Sequence, residues 1–227
     1  MKFTHKIFHL DKDTDRNFGY QKANDVLKYF SSEFNSPTIE ISCREDFEDF
    51  INKNLDFNVD RNGYNLHNQQ GWKWGELGIW ASNWLAWNKF LQSDYDYLIL
   101  MEDDILIYPS FRELLEEYMQ QLPNNWEIFH YFVPADQHGK YNVRLDVSAD
   151  LCRCYQDWSC LCYIINKDGA KKLIETSAQG ITLPLDWHMF RQTYKFNMYT
   201  IKPFSEYGCT LESLDSTFQN KEDRKVI

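Results

Sequence analysis

Three consecutive carboxylates, Glu102, Asp103 and Asp104, directly follow the apolar run Tyr97 to Met101. Like charges this close raise each other's pKa values or attract a cation. Oxygen ligands suit Mn²⁺ or Mg²⁺, which keep positions open for water and phosphate oxygens, and such an ion could neutralise a departing nucleotide diphosphate. A solvated acidic turn before the next helix would explain the same residues, as would a metal-dependent hydrolase, so the triplet alone decides between none of these.

A second candidate carboxylate, Asp186, lies next to Trp187 in a proline-containing segment. Asp186 is a candidate general base for an acceptor hydroxyl, because a neighbouring aromatic ring can raise the pKa of a carboxylate and stack on a sugar. The alternative is a helix N-cap. His188 could be a metal ligand or a packed imidazole, and the packed imidazole is favoured.

Four cysteines form two closely spaced pairs, Cys152 with Cys154 and Cys160 with Cys162. On a hairpin, the two members of each pair would project to the same face, where four thiolates could hold zinc. A single residue between the members is shorter than the usual spacing of zinc sites. The pattern therefore favours buried free thiols.

Alternating apolar runs and amphipathic stretches predict the elements that position these groups. Strands are expected near residues 6–10, 38–42, 97–101, 126–133 and 161–165, and helices near 24–30, 45–51, 75–91, 110–121 and 168–175. This alternation is typical of an α/β fold. Ligands of open α/β sheets bind at the carboxyl ends of strands, which is where the triplet falls. No repeat or linker divides the chain, so one domain is expected over 1–227, with a frayed tail at 220–227.

The composition excludes several classes of protein. Of 227 residues, 43% are hydrophobic, which is too many for a disordered chain. The net charge of −10 disfavours nucleic acid as a partner, and it opposes adsorption to anionic membranes. The N-terminus lacks a secretory pattern, and no run of apolar residues is long enough for a membrane span. A cytoplasmic location with reduced thiols is therefore expected.

The surroundings of the triplet resemble glycosyltransferase family 25. The resemblance begins with the stretch 75–87, which contains Gly-Glu-Leu-Gly and Ser82-Asn83-Trp84, and continues through 98–105 with the triplet. Three further segments are similar to that family in order and approximate spacing: 7–10 followed by Asp15-Arg16, 162–173, and 183–186. The resemblance covers residues 6 to 190, nearly the whole chain.

This resemblance implies a GT-A fold, an α/β/α sandwich around a mixed, mostly parallel sheet. It also implies a UDP-sugar donor and Mn²⁺, or Mg²⁺, as cofactor. Glu102 and Asp104 would face the metal or the ribose, and Asp103 would shape the turn or bind the donor. Arg16 would pair with uridine or diphosphate, although a surface salt bridge is an at least equally good interpretation.

Ser82 and Asn83 are also assigned to donor binding through the resemblance. The family usually has histidine after this serine, and Asn83 stands in its place. An asparagine could keep a hydrogen bond at that position but could not shuttle a proton.

The sequence therefore predicts a metal-dependent hexosyltransferase that acts with inversion on a glycan, protein or other hydroxyl acceptor. One alternative is a non-catalytic carbohydrate-binding protein on a decayed transferase fold, which Asn83 would support. The other is a metal-dependent phosphohydrolase, but the chain lacks the additional His and Asp clusters of two-metal sites.

Overall fold

A computed structural model of the chain describes residues 1–13, 16–60, 65–66, 69–133, 145–154, 160–202 and 205–211. The predicted tail at 220–227 lies outside these residues. The helices are α1 (Asn17–Leu27), α2 (Arg44–Lys53), α3 (Trp74–Leu91), α4 (Phe111–Gln121), α5 (Lys167–Ala178) and α6 (Leu185–Arg191). The strands are β1 (Phe3–Phe8), β2 (Ser31–Glu33), β3 (Asn65–Leu66), β4 (Gln69–Gln70), β5 (Tyr97–Glu102), β6 (Ile105–Ile107), β7 (Ile128–Phe132), β8 (Leu151–Arg153), β9 (Cys162–Asn166), β10 (Met198–Ile201) and β11 (Cys209–Leu211).

Seven of these strands form the main sheet, in the order β2-β1-β5-β9-β7-β10-β8. The pairings of β1 with β2, of β1 with β5 and of β7 with β10 are parallel. The pairings of β5 with β9, of β7 with β9 and of β8 with β10 are antiparallel. The predicted mixed α/β sheet is confirmed, with parallel and antiparallel pairings in equal number where a parallel majority was expected.

The apolar residues of β5 serve two cores, one on each face of the sheet. Leu98 and Leu100 pack with the apolar side chains of α2, α3, α5 and α6. Ile99 and Met101 pack with those of α1 and α4 on the other face. Successive side chains of a strand point to opposite faces, so a continuous apolar run is what a strand covered on both sides requires. The three-layer α/β/α arrangement follows from this.

One predicted strand is wrong. The segment 38–42 forms no strand and does not join the sheet, and the second strand is instead β2. The backbone N–H of Ile39 donates to Ser82 Oγ of α3 at 2.7 Å rather than to a neighbouring strand. A Cβ atom at Gly78 would lie only 2.8 Å from the Ile39 carbonyl oxygen, so the glycine permits this close approach. The alternating pattern of the segment therefore reflects packing against a helix.

The main sheet brings the ends of β1 and β5 together. The two strands run parallel, and Phe8 is paired with Glu102 at their carboxyl ends. The residues that follow each strand therefore emerge at the same edge of the sheet. Among the described helices, none combines the length and apolar character needed to cross a membrane.

Candidate active site

The acidic triplet lies at the carboxyl end of β5, as the sequence predicted. Glu102 is the last residue of the strand, and Asp103 and Asp104 form the turn that leads to β6. Asp103 is buried, whereas Glu102 and Asp104 are partly buried. The three side chains thus share one short turn at the edge where β1 also ends.

Asp103 is held by two side chains from the first segment of the chain. Arg16 Nη1 donates to Asp103 Oδ1 at 2.8 Å, and the same atom lies 3.9 Å from Asp104 Oδ2. Burial alone would lower the pKa of Arg16, but the hydrogen bond to Asp103 and the nearby carboxylates raise it, so the guanidinium stays charged. Of the two interpretations of Arg16, the salt bridge is the one observed, in a buried rather than a surface setting. Its contact with the donor stays a prediction.

The second partner of Asp103 is His9, which had no predicted role. His9 Nδ1 lies 2.8 Å from Asp103 Oδ2, and Nε2 lies 2.9 Å from Asn17 Oδ1. A carboxylate only accepts, so Nδ1 donates in the contact with Asp103. The His9 ring also stacks on Tyr20, with ring centroids 4.7 Å apart.

Asp186, in the first turn of α6, interacts electrostatically with the triplet. Its negative charge acts on Glu102 together with those of Asp104 and Asp103. Burial is the largest cause, and with these charges it raises the pKa of Glu102 to about 8. Burial also raises the pKa of Asp186 itself. The structure therefore gathers the two carboxylates assigned to metal and the one assigned to base catalysis in a single electrostatic cluster.

The position of α6 is fixed by contacts with α3 and α5. Trp80 Nε1 donates to the carbonyl oxygen of Leu183 at 2.8 Å. The rings of Trp80 and His188 meet edge to face at 5.0 Å, and His188 Nε2 lies 3.1 Å from Thr176 Oγ1. Burial and the charge of Lys195 lower the pKa of His188 to about 4, so the imidazole is neutral at pH 7. His188 is therefore the packed imidazole that the sequence favoured. The helix N-cap is Pro184 and not Asp186.

The turn offers a divalent cation two carboxylates, which a substrate phosphate and water would have to complement. Among the described residues, no three His, Cys, Asp or Glu side chains are arranged to hold an ion by themselves. Mg²⁺ and chemically similar ions are commonly held by one or two carboxylates, with substrate phosphates and water completing the shell. Glu102 and Asp104 could act as oxygen ligands of this kind. Burial and then the neighbouring carboxylates raise the pKa of Glu102, and a bound cation would oppose that rise.

A cleft of about 320 Å³ opens beside Glu102 and Asp103. Its walls are the end of β1 with the residues up to Asp13, the segment 38–42 and the first turns of α3. The apolar part of the lining includes Phe8, Leu10, Ile39, Ile41, Trp74 and Ile79, and the cations Lys12 and Lys73 also face the cleft. The cleft thus combines apolar walls with charged groups of both signs, which is compatible with a small-molecule site.

Ser82 lines this cleft, but its hydroxyl already has two partners in the protein. The hydroxyl accepts from the Ile39 N–H and donates to the Gly78 carbonyl oxygen, each at 2.7 Å. Ser82 thereby ties the segment 38–42 to α3 and shapes the wall of the cleft. Direct donor binding by Ser82 stays a prediction.

Asn83 points into the core rather than into the cleft. Its Oδ1 accepts from the Tyr163 hydroxyl at 2.6 Å, and its Nδ2 donates to the Ile79 carbonyl oxygen at 2.9 Å. The Tyr163 hydroxyl accepts in turn from Trp87 Nε1 at 3.0 Å. Asn83 is 1% exposed. Its observed role is to complete a buried hydrogen-bond chain, and its predicted contact with the donor stays a prediction.

We expect Asn83→Leu to lower the free energy of unfolding by about 1–3 kcal/mol, because it leaves the buried Tyr163 hydroxyl without an acceptor. Urea denaturation of Asn83→Leu, Tyr163→Phe and the double variant measures this. The double variant should lose less than the sum of the single losses, since the two groups are partners. Additive losses would contradict the hydrogen-bond chain.

The four paired cysteines are buried thiols outside any disulfide, as the sequence favoured. Cys160 Sγ lies 3.7 Å from Met189 Sδ, and burial raises the pKa of Cys160 well above its ordinary value. Among the described residues, no group of three potential metal ligands occurs, so the structure lends the zinc alternative no support.

Comparison with known proteins gives one family. Residues 21–189 match the sequence profile described as "Glycosyltransferase family 25 (LPS biosynthesis protein)". The chain is 27% identical over 149 residues to procollagen galactosyltransferase 2 of Homo sapiens, which covers 62% of this chain and 22% of that protein. It is 24% identical over 114 residues to a glycosyltransferase 25 family member of Aedes aegypti. That alignment covers 49% of this chain and 19% of the Aedes aegypti protein. The chain thus spans about a fifth of the length of these curated relatives.

Among solved structures, similarity extends over most of the chain at low sequence identity. A Drosophila β-1,4-galactosyltransferase 7 mutant, in complex with manganese, UDP-Gal and xylobiose, aligns with a TM-score of 0.42 and 12% identity. That alignment covers 99% of this chain and 79% of the other.

Proposed function

The chain belongs to glycosyltransferase family 25, and from this membership we propose that it transfers a hexose from a UDP-sugar to a hydroxyl acceptor in a metal-dependent, inverting reaction. The observation that carries the proposal is that Glu102 and Asp104 share the short turn at the end of β5, where Glu102 lines a cleft of about 320 Å³ and feels the charge of Asp186. A nucleotide-sugar needs both features, a groove for the nucleoside and a charged centre for the diphosphate.

In this proposal the nucleoside of the donor occupies the apolar part of the cleft, and the diphosphate lies against Glu102 and Asp104. The carboxylates of Glu102 and Asp104 would repel a diphosphate unless a cation intervened. Glu102 and Asp104 would hold that cation, Mn²⁺ or Mg²⁺. When bound, it supplies Lewis-acid neutralisation of the departing diphosphate.

Asp186 is the proposed general base. The acceptor hydroxyl oxygen would attack the anomeric carbon, the bond from that carbon to the phosphate oxygen would break, and the hydroxyl proton would pass to Asp186. The raised pKa of Asp186 brings its basicity closer to that needed near neutral pH. The adjacent Trp187 packs edge to face on Phe190 at 5.5 Å, and both rings are only partly buried, which leaves aromatic surface beside the base for an acceptor.

Galactose is the first sugar to test, because the relative from Homo sapiens is a procollagen galactosyltransferase. The protein is incubated with Mn²⁺ and a panel of UDP-sugars, with and without acceptors, and UDP release is measured. We expect slow UDP release with at least one donor, accelerated by an acceptor. Donor binding without turnover would indicate a non-catalytic binding protein, and inorganic phosphate released from simple esters would indicate a hydrolase. Either result would contradict the proposal.

A further inference from the structure

Both carboxylate oxygens of Asp103 are engaged by protein donors, although Asp103 is the central residue of the acidic triplet. Oδ1 accepts from Arg16 Nη1 at 2.8 Å, and Oδ2 accepts from His9 Nδ1 at 2.8 Å. The side chains of Asp103, Arg16 and His9 are each no more than 6% exposed. A ligand that replaced either donor would have to break a buried, charge-assisted hydrogen bond. Asp103 is therefore an anchor of the turn and not a free ligand.

His9 itself is held in one orientation from two directions. Its Nε2 lies 2.9 Å from Asn17 Oδ1, and its ring is stacked on Tyr20 at an interplanar angle of 14°. Asn17 and Tyr20 both belong to α1, so the helix fixes the imidazole plane. In this orientation Nδ1 points at Asp103.

We propose that His9 is a positioning residue for the cation site. It fixes Asp103, and because Glu102 and Asp104 flank Asp103 on the same short turn, it also fixes the backbone from which those two side chains reach the ion. This inference rests on the proposed function, since it assumes that Glu102 and Asp104 hold the metal. Hydrogen-bond partners that orient ligand-bearing groups in this way typically change metal affinity by about 10–100-fold when lost.

Two amide substitutions separate the two ring nitrogens of His9. In His9→Asn, the amide nitrogen can take the place of Nδ1 and keep the bond to Asp103. In His9→Gln, the amide reaches the place of Nε2, so the variant keeps the hydrogen bond to Asn17 and loses the hydrogen bond to Asp103. We expect the Mn²⁺ dissociation constant, measured by electron paramagnetic resonance with saturating UDP, to rise about 10–100-fold in His9→Gln. His9→Asn should bind Mn²⁺ nearly as the wild type does.

His5→Gln is the matched control, because His5 is a buried histidine of β1 whose ring contacts Ser31 and Asn24, so the substitution leaves His9 and its bond to Asp103 in place. The control should lower the thermal midpoint without a comparable loss of Mn²⁺ affinity. If His9 had a purely structural role, Mn²⁺ affinity would instead fall in proportion to thermal stability in all three variants. Wild-type Mn²⁺ affinity in His9→Gln, or equal losses in the Asn and Gln variants, would overturn the inference. If the wild type binds no Mn²⁺ with UDP, the proposed function fails before His9 is tested.

Discussion

Asp104→Asn is expected to abolish sugar transfer while leaving the fold intact. The substitution keeps the shape of the side chain but removes one of the two charged oxygen ligands proposed for the cation. The loss of one preorganised electrostatic contact of this kind costs roughly 10²–10³-fold in turnover, and loss of the ion itself would cost more. The charge of Asp104 also raises the pKa of Glu102, so its removal relieves repulsion in the folded protein.

UDP release with Mn²⁺ and the preferred donor measures this effect, with circular dichroism as the test of folding. Asp25→Asn is the control, since the Asp25 side chain is 70% exposed on α1 and lies outside the site. It should behave as the wild type does. Full activity of Asp104→Asn would remove Asp104 from the metal site.

Asp186→Asn should lose sugar transfer but still bind the donor. A positioned general base contributes about 10²–10⁴-fold to a rate, and the amide cannot accept the acceptor proton. Asp186 Oδ1 accepts from the Trp187 N–H at 2.8 Å, a contact that an asparagine oxygen can keep. The start of α6 should therefore be unchanged. Calorimetric titration with UDP and Mn²⁺ should give an affinity close to that of the wild type.

The pH dependence distinguishes a base from a merely structural carboxylate at position 186. The base must be ionised, so kcat falls as pH drops through its pKa. Burial raises the pKa of Asp186, so this fall should begin at higher pH than for an ordinary aspartate, and it should disappear in Asp186→Asn. Asp168→Asn, an exposed change on α5, is the control. Wild-type kcat in Asp186→Asn would exclude Asp186 as the base.

The strand that carries the acidic triplet could be predicted because its signal is local. The apolar run from Tyr97 to Met101 satisfies both faces of β5, and the carboxylates begin where that apolar pattern stops. The position of the triplet at a strand end followed directly. The place of Asp186 next to Glu102 did not follow from periodicity, because it depends on how α6 docks against α3.

Long-range hydrogen bonds account for what the sequence did not reveal. His9 contacts Asp103 only because β1 and β5 are paired in parallel with Phe8 beside Glu102, and no pattern within either segment encodes that register. The one feature of the sequence that pointed to His9 was its position as a polar residue just beyond an apolar strand. Asn83 was similarly ambiguous, since its core orientation depends on Tyr163 from a distant strand.

Titration of the wild-type protein with Mn²⁺, in the presence and absence of UDP, tests whether the cluster at the end of β5 is a nucleotide-dependent cation site. Two protein carboxylates predict weak Mn²⁺ binding alone and much tighter binding with UDP, and linkage requires that Mn²⁺ strengthen UDP binding by the same factor. Independent binding of the two, or no binding of either up to about 1 mM, the upper end of ordinary substrate affinities, would contradict the proposed function.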